Sequence, residues 1–426
     1  MQGRVSADDV ASGRAAEGYI CNAEIVSHFG ESGGYKVERY VDDAGRECAY
    51  FDSTLLFPTN AAAPGQFPTG TIVLDMSNPG APVRTSTLLT PAMQTPHESM
   101  VLNPERGLLG AVMGNPAVYP GVIDVYDVTS DCRNPELRSV SPAGILGHES
   151  GFAPDGRTFY AASISTGHLT AVDVSNPSLP VTLWTGNYNS HGLSISDDGN
   201  RAYVAARSGL IILDVSQVNR RVLNPQVRVV STLRWDNITI PQTAIPVTIK
   251  GHPYLVEIDE FATDGQGNIT GNGDVVGAAR IIDIADEAKP RVVSNMRLDV
   301  HEPENRAALA GDPGAGSIVG GYAGHYCNVP HREEPGIVAC SFILSGVRVF
   351  DIRDPFHPKE IAYFNTPKEP TIPGDAPSSY AMSSPSFVPE RGEIWYSDGN
   401  SGFYAVRLTN GVWAPHGHQH NHGWSR

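Results

Sequence analysis

The chain has 426 residues, of which 40% are hydrophobic and 18% charged, with 44 Gly and 33 Pro; this is the composition of a folded, turn-rich protein and not of a disordered one. Thirty Lys and Arg against 46 Asp and Glu leave a formal charge of −16, a surface that repels phosphate backbones and excludes nucleic acid as a partner. No apolar run approaches the roughly 20 residues of a membrane helix, so no membrane insertion is expected.

Residues 1–18 are polar and rich in Ala, Gly and Ser, without the apolar core of a signal peptide. They read as a flexible mature end left after a leader is removed, which predicts a secreted or periplasmic protein. Five cysteines fit that compartment. Cys327 and Cys340 flank a loop between neighbouring antiparallel strands and can bridge; Cys21 and Cys48 could form a second bridge, leaving Cys132 in the turn TSDCRNP. The alternative is five reduced thiols. GESGG (30–34) matches the G-x-S-x-G nucleophile elbow, but a strand, YKVERYV, follows it where a helix is required, so it reads as a Gly-rich loop.

From residue 71 onward one phrase recurs: apolar–apolar–Asp–apolar–Ser/Thr, then Pro. The copies are TIVLDMSNPGAPV (71–83), VYDVTSDCRNPEL (125–137), LTAVDVSNPSLPV (169–181), LIILDVSQ (210–217), ARIIDIADEAKPRV (279–292) and VRVFDIRDPFHPKEI (347–361). Their acids are Asp75, Asp127, Asp173, Asp214, Asp283 and Asp351; a seventh, decayed copy has Arg407 in that place. Each reads as a strand entering a turn that the Asp side chain caps, with Pro keeping the next segment from pairing early. Ahead of each copy stand two further strands joined by a turn such as PDG, DDG or PERG. Strand units at intervals of 40–70 residues, with no helical periodicity between them, predict an all-β fold: a seven-bladed β-propeller of four-stranded antiparallel blades.

The expected organisation is a flexible segment 1–18, one propeller over 19–415 closed by N- and C-terminal strands in one blade, and a His-rich tail at 416–426. Blade boundaries fall near 19–90, 91–144, 145–187, 188–238, 239–303, 304–367 and 368–415. Blade five carries an insertion at 260–274, expected as an exposed hairpin tip, and a long Gly/Ala/Pro loop at 301–321 is expected to border the functional face.

The start of each blade's first strand converges on the propeller axis. Alignment on the turns places His97, His148 and His191 at equivalent points of blades two, three and four, and His325 in blade six. Gln242, Ser383 and Tyr35 take the corresponding places in blades five, seven and one. Four imidazoles around one axis suit a transition metal, copper favoured and iron or zinc possible, with room for water or substrate. Glu98 and Glu149 each follow a candidate ligand and on an extended strand point away from it, which suits orienting a neighbouring blade's imidazole. The plain alternative is that each histidine only hydrogen-bonds the next blade. Asp264–Asn268, His252 with Glu257 and Asp259, and His301-Glu302 are further polar groupings that could edge the site or lie on the surface.

On these strands (IVLDM, LTAVDVS, LIILDVS) the sequence resembles the LVIVD-repeat proteins, a family of bacterial β-propellers, and its PDG units look like the related YVTN-type repeats. That resemblance implies the fold over nearly all of the chain after Gly18 and leaves the activity open. The layout of the histidines is similar in kind to the metal sites of the selenium-binding protein/methanethiol oxidase group and of the carotenoid-cleaving oxygenases. It implies an exported metal-dependent oxidoreductase or oxygenase acting on a small organic molecule, with Glu98 and Glu149 in supporting catalytic roles. A metal-assisted lyase or hydrolase resembling the streptogramin-lyase propellers would use the same site, and a non-catalytic extracellular binding propeller is the other class.

Overall fold

The computed structural model describes residues 3–53, 70–113, 121–142, 146–163, 166–264, 268–270, 273, 275–309, 311–312, 314–315, 320–367 and 379–413. Seven antiparallel sheets stand around a central bore. Their inner strands are Val37–Val41, Val101–Asn103, Ser150–Phe152, Ser190–Ile195, Ile240–Ile249, Gly324–Asn328 and Ser386–Val388. In blades one to six the strands run outward in chain order; blade six, 324–365, gains a fifth strand, Tyr19–Cys21, on its outer edge. Blade seven takes three strands from 386–408 and its outermost from Ala23–Phe29, which pairs with Gly402–Leu408. The N-terminal strands thus belong to blades six and seven, not to blade one.

The middle strands form because both of their faces are buried, and alternation divides each between two inter-blade cores. In Thr158–Ala162, Phe159 and Ala161 pack toward blade two while Tyr160 and Ala162 pack toward blade four. Each of the seven blade interfaces holds one such cluster. Outer strands alternate with solvent instead, as in Val181–Asn187.

The repeated acids cap their turns as their positions predict. The side chains of Asp75, Asp127, Asp173, Asp214, Asp283 and Asp351 each accept the backbone N–H two residues on, at 2.8–3.0 Å. Arg407, in the seventh copy, pairs instead with Glu393 at 3.0 Å.

Several expectations are corrected. Cys327 bridges Cys340, but the second disulfide is Cys48–Cys132, with Cα atoms 6.0 Å apart. Cys48 on blade one and Cys132 in the blade-two turn are neighbours across an interface, whereas Cys21 lies on the edge of blade six and is free. Residues 3–17 are not a loose end. They form a short helix, Ala7–Ser12, and a 3-10 turn, with Val5 and Ala15 buried and Arg4 ion-paired to Asp312. The blade-five insertion is not all tip: Ala262–Thr263 pairs with Ile269–Thr270 and with Val275–Val276, and Ala262 and Val276 bury against Ala323. The His-rich tail and Asp274 lie outside the described residues.

Candidate functional site

The histidines of four blades meet on the axis, joined by Tyr35 of blade one. Ring centroids are 4.3 Å apart for His148–His191, 4.5 Å for His97–His148, 4.8 Å for Tyr35–His97 and 5.4 Å for Tyr35–His325. All four imidazoles are buried, none more than 9% exposed.

Backbone carbonyls set the orientation of two of them. Nδ1–H of His191 donates to Pro241 O at 2.7 Å, and Nδ1–H of His325 donates to Met382 O at 2.6 Å. A carbonyl can only accept, so each Nδ1 carries a hydrogen and each Nε2 is turned toward the axis, the orientation in which a backbone partner holds a metal-binding ring. The Nε2 atoms of His191 and His325, and Nδ1 of His148, are buried and make no hydrogen bond.

Two carboxylates stand among these nitrogens at ion-pair distance, at angles that leave them unbonded. Glu98 lies 2.6 Å from His148 Nδ1 and 3.2 Å from His325 Nε2; Glu260 lies 3.0 Å from His325 Nε2 and 3.3 Å from His191 Nε2. His97 Nε2 is 3.2 Å from His148 Nε2. Ligands held about 2.1 Å from one ion sit about 3 Å from their neighbours in its coordination sphere, which is this spacing. His97, Glu98 and His148 form one compatible set of donors, and Glu98, Glu260 and His325 a second.

Glu98 therefore does more than orient a neighbour: it sits within ligand range. The physical reason is local. His97 has φ +53°, in the left-handed region, which breaks strand alternation inside the turn closed by Ser99 N–H to Pro96 O at 2.9 Å. His97 and Glu98 both face the axis as a result, and Gln242 donates to Glu98 from blade five. Elsewhere the alternation holds. Glu149 turns away from the imidazoles and is held by Lys36 Nζ at 2.6 Å and by the Tyr326 hydroxyl at 2.5 Å. The expected imidazole-orienting role for Glu149 is thus corrected. Gly192, after His191, admits this packing, because a Cβ there would meet Gln242 O at 2.0 Å and Glu149 Cγ at 2.5 Å.

The electrostatics follow from burial and from the two acids. Burial, then the His148 ring, pushes His97 down to about 3. Burial opposes charge on His325 as well, but Glu260 and Glu98 beside it raise it to about 10. Burial would raise Glu98, yet His148 and His325 hold it well below the usual carboxylate range, while burial keeps Glu260 above it. The two acids thus draw His325 toward its charged form.

Other sequence candidates fall elsewhere. Ser383 accepts Ser397 N–H at 2.9 Å and offers nothing to the ring, so Tyr35 closes the gap at blade seven. His252 pairs with Asp283 at 2.9 Å. His301 is satisfied on both nitrogens, by Leu298 N–H at 3.1 Å and Tyr322 O at 2.7 Å. Glu257 and Asp259 neither edge the site nor lie on the surface; they are fully buried with Arg280 in blade five. Ser32 donates to Ser53 O at 3.1 Å in a loop with no helix after it, and Asp264 caps a turn by accepting Asn268 N–H at 2.8 Å.

Beyond the layer of Lys36, Glu149 and Tyr326 the bore widens into a cavity of about 520 Å³, lined by inner strands of blades one to six. It opens at the end of the bore away from the histidines, where Glu105 and Asp197 are exposed.

Residues 162–189 and 191–220 match the family model of the LVIVD repeat. The chain is a seven-bladed β-propeller that carries LVIVD repeats. No curated protein matches the sequence. Among solved structures, a putative 6-phosphogluconolactonase from Bacteroides fragilis NCTC 9343 is 10% identical, over 80% of this chain and 90% of that one, at TM-score 0.50. Another from Bacteroides uniformis ATCC 8492 is 12% identical, over 76% and 82%, at 0.51. The Cps50 (Swd1) β-propeller domain of Myceliophteria thermophila is 10% identical, over 90% and 99%, at 0.54. At such identities the likeness is one of fold.

Proposed function

We propose that the propeller axis holds a transition-metal ion and that the protein is a metal-dependent enzyme acting on a small organic molecule, as an oxidoreductase or oxygenase. The observation that carries this reading is the convergence of buried imidazole nitrogens that have no hydrogen-bond partner, with two carboxylates at ligand spacing among them. Buried polar atoms left unbonded are expensive, and an ion in either set of donors would satisfy the nitrogens of that set. His97, His148, His191 and His325 would hold it, with Glu98 and Glu260 supplying oxygen. Two carboxylates beside imidazoles shift the preference from copper toward iron. Bound there, the metal would polarise a substrate oxygen or activate O₂ or water. The chain's own contribution is to fix the ligand tautomers from Pro241 and Met382 and to keep bulk water out. Two disulfides fit an exported protein, and among the described residues no helix is long and apolar enough to cross a membrane.

The burial of every group in the centre favours a second reading, an ion that only pins the blades of a non-catalytic propeller. Metal analysis of purified protein, with the His-rich tail removed, tests the site. Stoichiometric iron, copper or zinc that is lost in a His148→Ala/His191→Ala variant supports it. Wild-type protein that is metal-free and indifferent to chelator overturns it. A spectral change on adding azide to the metal-loaded protein marks an open coordination position and separates enzyme from structural ion.

A further inference from the structure

We infer that the cavity in the lower bore is a binding site for a small organic cation, a protonated amine with a hydrocarbon body. The four acids that line it are Glu38, Glu105, Glu149 and Asp197, and its bases are Lys36 and Arg332, with His331 on the rim. The bases are already used. Lys36 pairs with Glu149 at 2.6 Å, and Arg332 pairs with Asp197 at 2.7 Å. Among the described residues neither Glu38 nor Glu105 has a cationic partner within ion-pair distance, so two carboxyl groups face the cavity with no base in it to answer them.

Glu38 lies on the inner strand of blade one, half-buried, with the cavity on its open side. The charged groups facing it are Lys36 on its own strand and Glu149 from blade three. Burial pushes its carboxyl up to about 8, Lys36 pulling it down and Glu149 adding to the rise. An ammonium group beside it would return it to the carboxylate form, and one proton would leave as the ligand enters. The rest of the wall includes Leu102, Phe152 and Leu193, which give an apolar surface for the body of such a molecule. A volume of about 520 Å³ suits a ligand of small-molecule size.

The two carboxyls without a paired base stand apart from any metal. Only the further step, that the bound amine is the substrate of the axial centre, rests on the preceding reading, since Glu149, Lys36 and Tyr326 are what separates the two.

Isothermal titration of the full chain with phenethylamine, and with 2-phenylethanol and phenylacetate as neutral and anionic counterparts, tests the site. It is run on chelator-treated and metal-loaded protein. The amine should bind in both states, in preference to both counterparts, and should release a proton near pH 7, seen as a dependence of heat on the buffer's ionisation enthalpy. Glu38→Gln should weaken amine binding about tenfold, and Glu105→Gln less, with metal content unchanged. Equal or tighter binding of the alcohol, an amine affinity indifferent to Glu38→Gln, or no binding of any of the three overturns the proposal. Because metal content is read separately, protein that binds amine without metal sinks only the metal centre. Metal-replete protein that ignores the amine sinks only this site.

Discussion

Two buried polar clusters lie within one molecule, and they are built in opposite ways. In blade five, Arg280 is 1% exposed and sits between Glu257 and Asp259, both fully buried, at 3.0 Å from the latter. Trp235 Nε1–H and Thr239 N–H also donate to Asp259, at 3.0 and 3.1 Å, and the guanidinium lies 4.2 Å over the Trp235 ring. That cluster supplies its own cation, and although Glu257 Oε1 and Asp259 Oδ1 take no hydrogen bond, the other oxygen of each acid is paired with Arg280. On the axis two carboxylates and four imidazoles meet with no arginine or lysine among them, and three ring nitrogens go unbonded. A closed cluster holds a fold together, whereas an open one asks for something from outside.

The contrast breaks first at Arg280. Arg280→Met leaves two buried carboxylates without their cation and should lower stability by about 3–5 kcal/mol in urea unfolding. A loss below about 1 kcal/mol would mean the blade-five acids do not depend on it. On the axis the sign reverses. Free metal at about a hundredfold its dissociation constant should stabilise the wild-type protein by about 3 kcal/mol, and the His148→Ala/His191→Ala variant should show no such gain. Equal melting shifts in both proteins would place the metal elsewhere.

His301 sharpens the comparison, being a buried histidine whose two nitrogens are both used. Burial, then Arg297, lowers it from 6.5 to about 3. Its folded value is depressed, so its contribution is present above pH 6.5 and is lost as pH falls toward 3. Between roughly pH 7 and pH 5 the wild type should lose about 2 kcal/mol more than His301→Gln does, read from unfolding curves at each pH. Identical slopes would mean that His301 is protonated in the folded protein. The smallest effect belongs to the repeat itself. Asp127→Ala removes hydrogen bonds to Thr129 N–H at 3.0 Å and its hydroxyl at 2.6 Å, and should lower stability by about 1 kcal/mol without altering metal content.

The propeller was legible because its cause is local and repeated: each Asp caps a turn two residues ahead, and the spacing of those turns counts blades. The four histidines were legible by the same alignment, since equivalent positions of different blades must meet on the axis. Glu260 was not. It ends the second strand of blade five, where Phe261 takes φ +58° and the chain leaves for the insertion, so no repeat equivalence marks it. Its neighbour Asp259 points the other way into the Arg280 cluster, a choice that alternation makes only once the strand's register is known. Glu98 was found beside the neighbouring blade's His148, where it was expected, but its turn toward the axis was not legible, because a left-handed residue at His97 overrides the rule that neighbours on a strand diverge. The Cys48–Cys132 bridge escaped for a third reason: it crosses a blade interface, and sequence spacing carries no information on which turn faces which neighbour.

The strand Ala23–Phe29 completes blade seven by pairing with Gly402–Leu408. Its partner is made some 380 residues later in synthesis. Until then blade seven lacks its outer edge, and the ring made by Tyr35 of blade one and the imidazoles of blades two, three, four and six is not closed. Any ion that the axis takes would therefore follow the pairing of strands far apart in the chain.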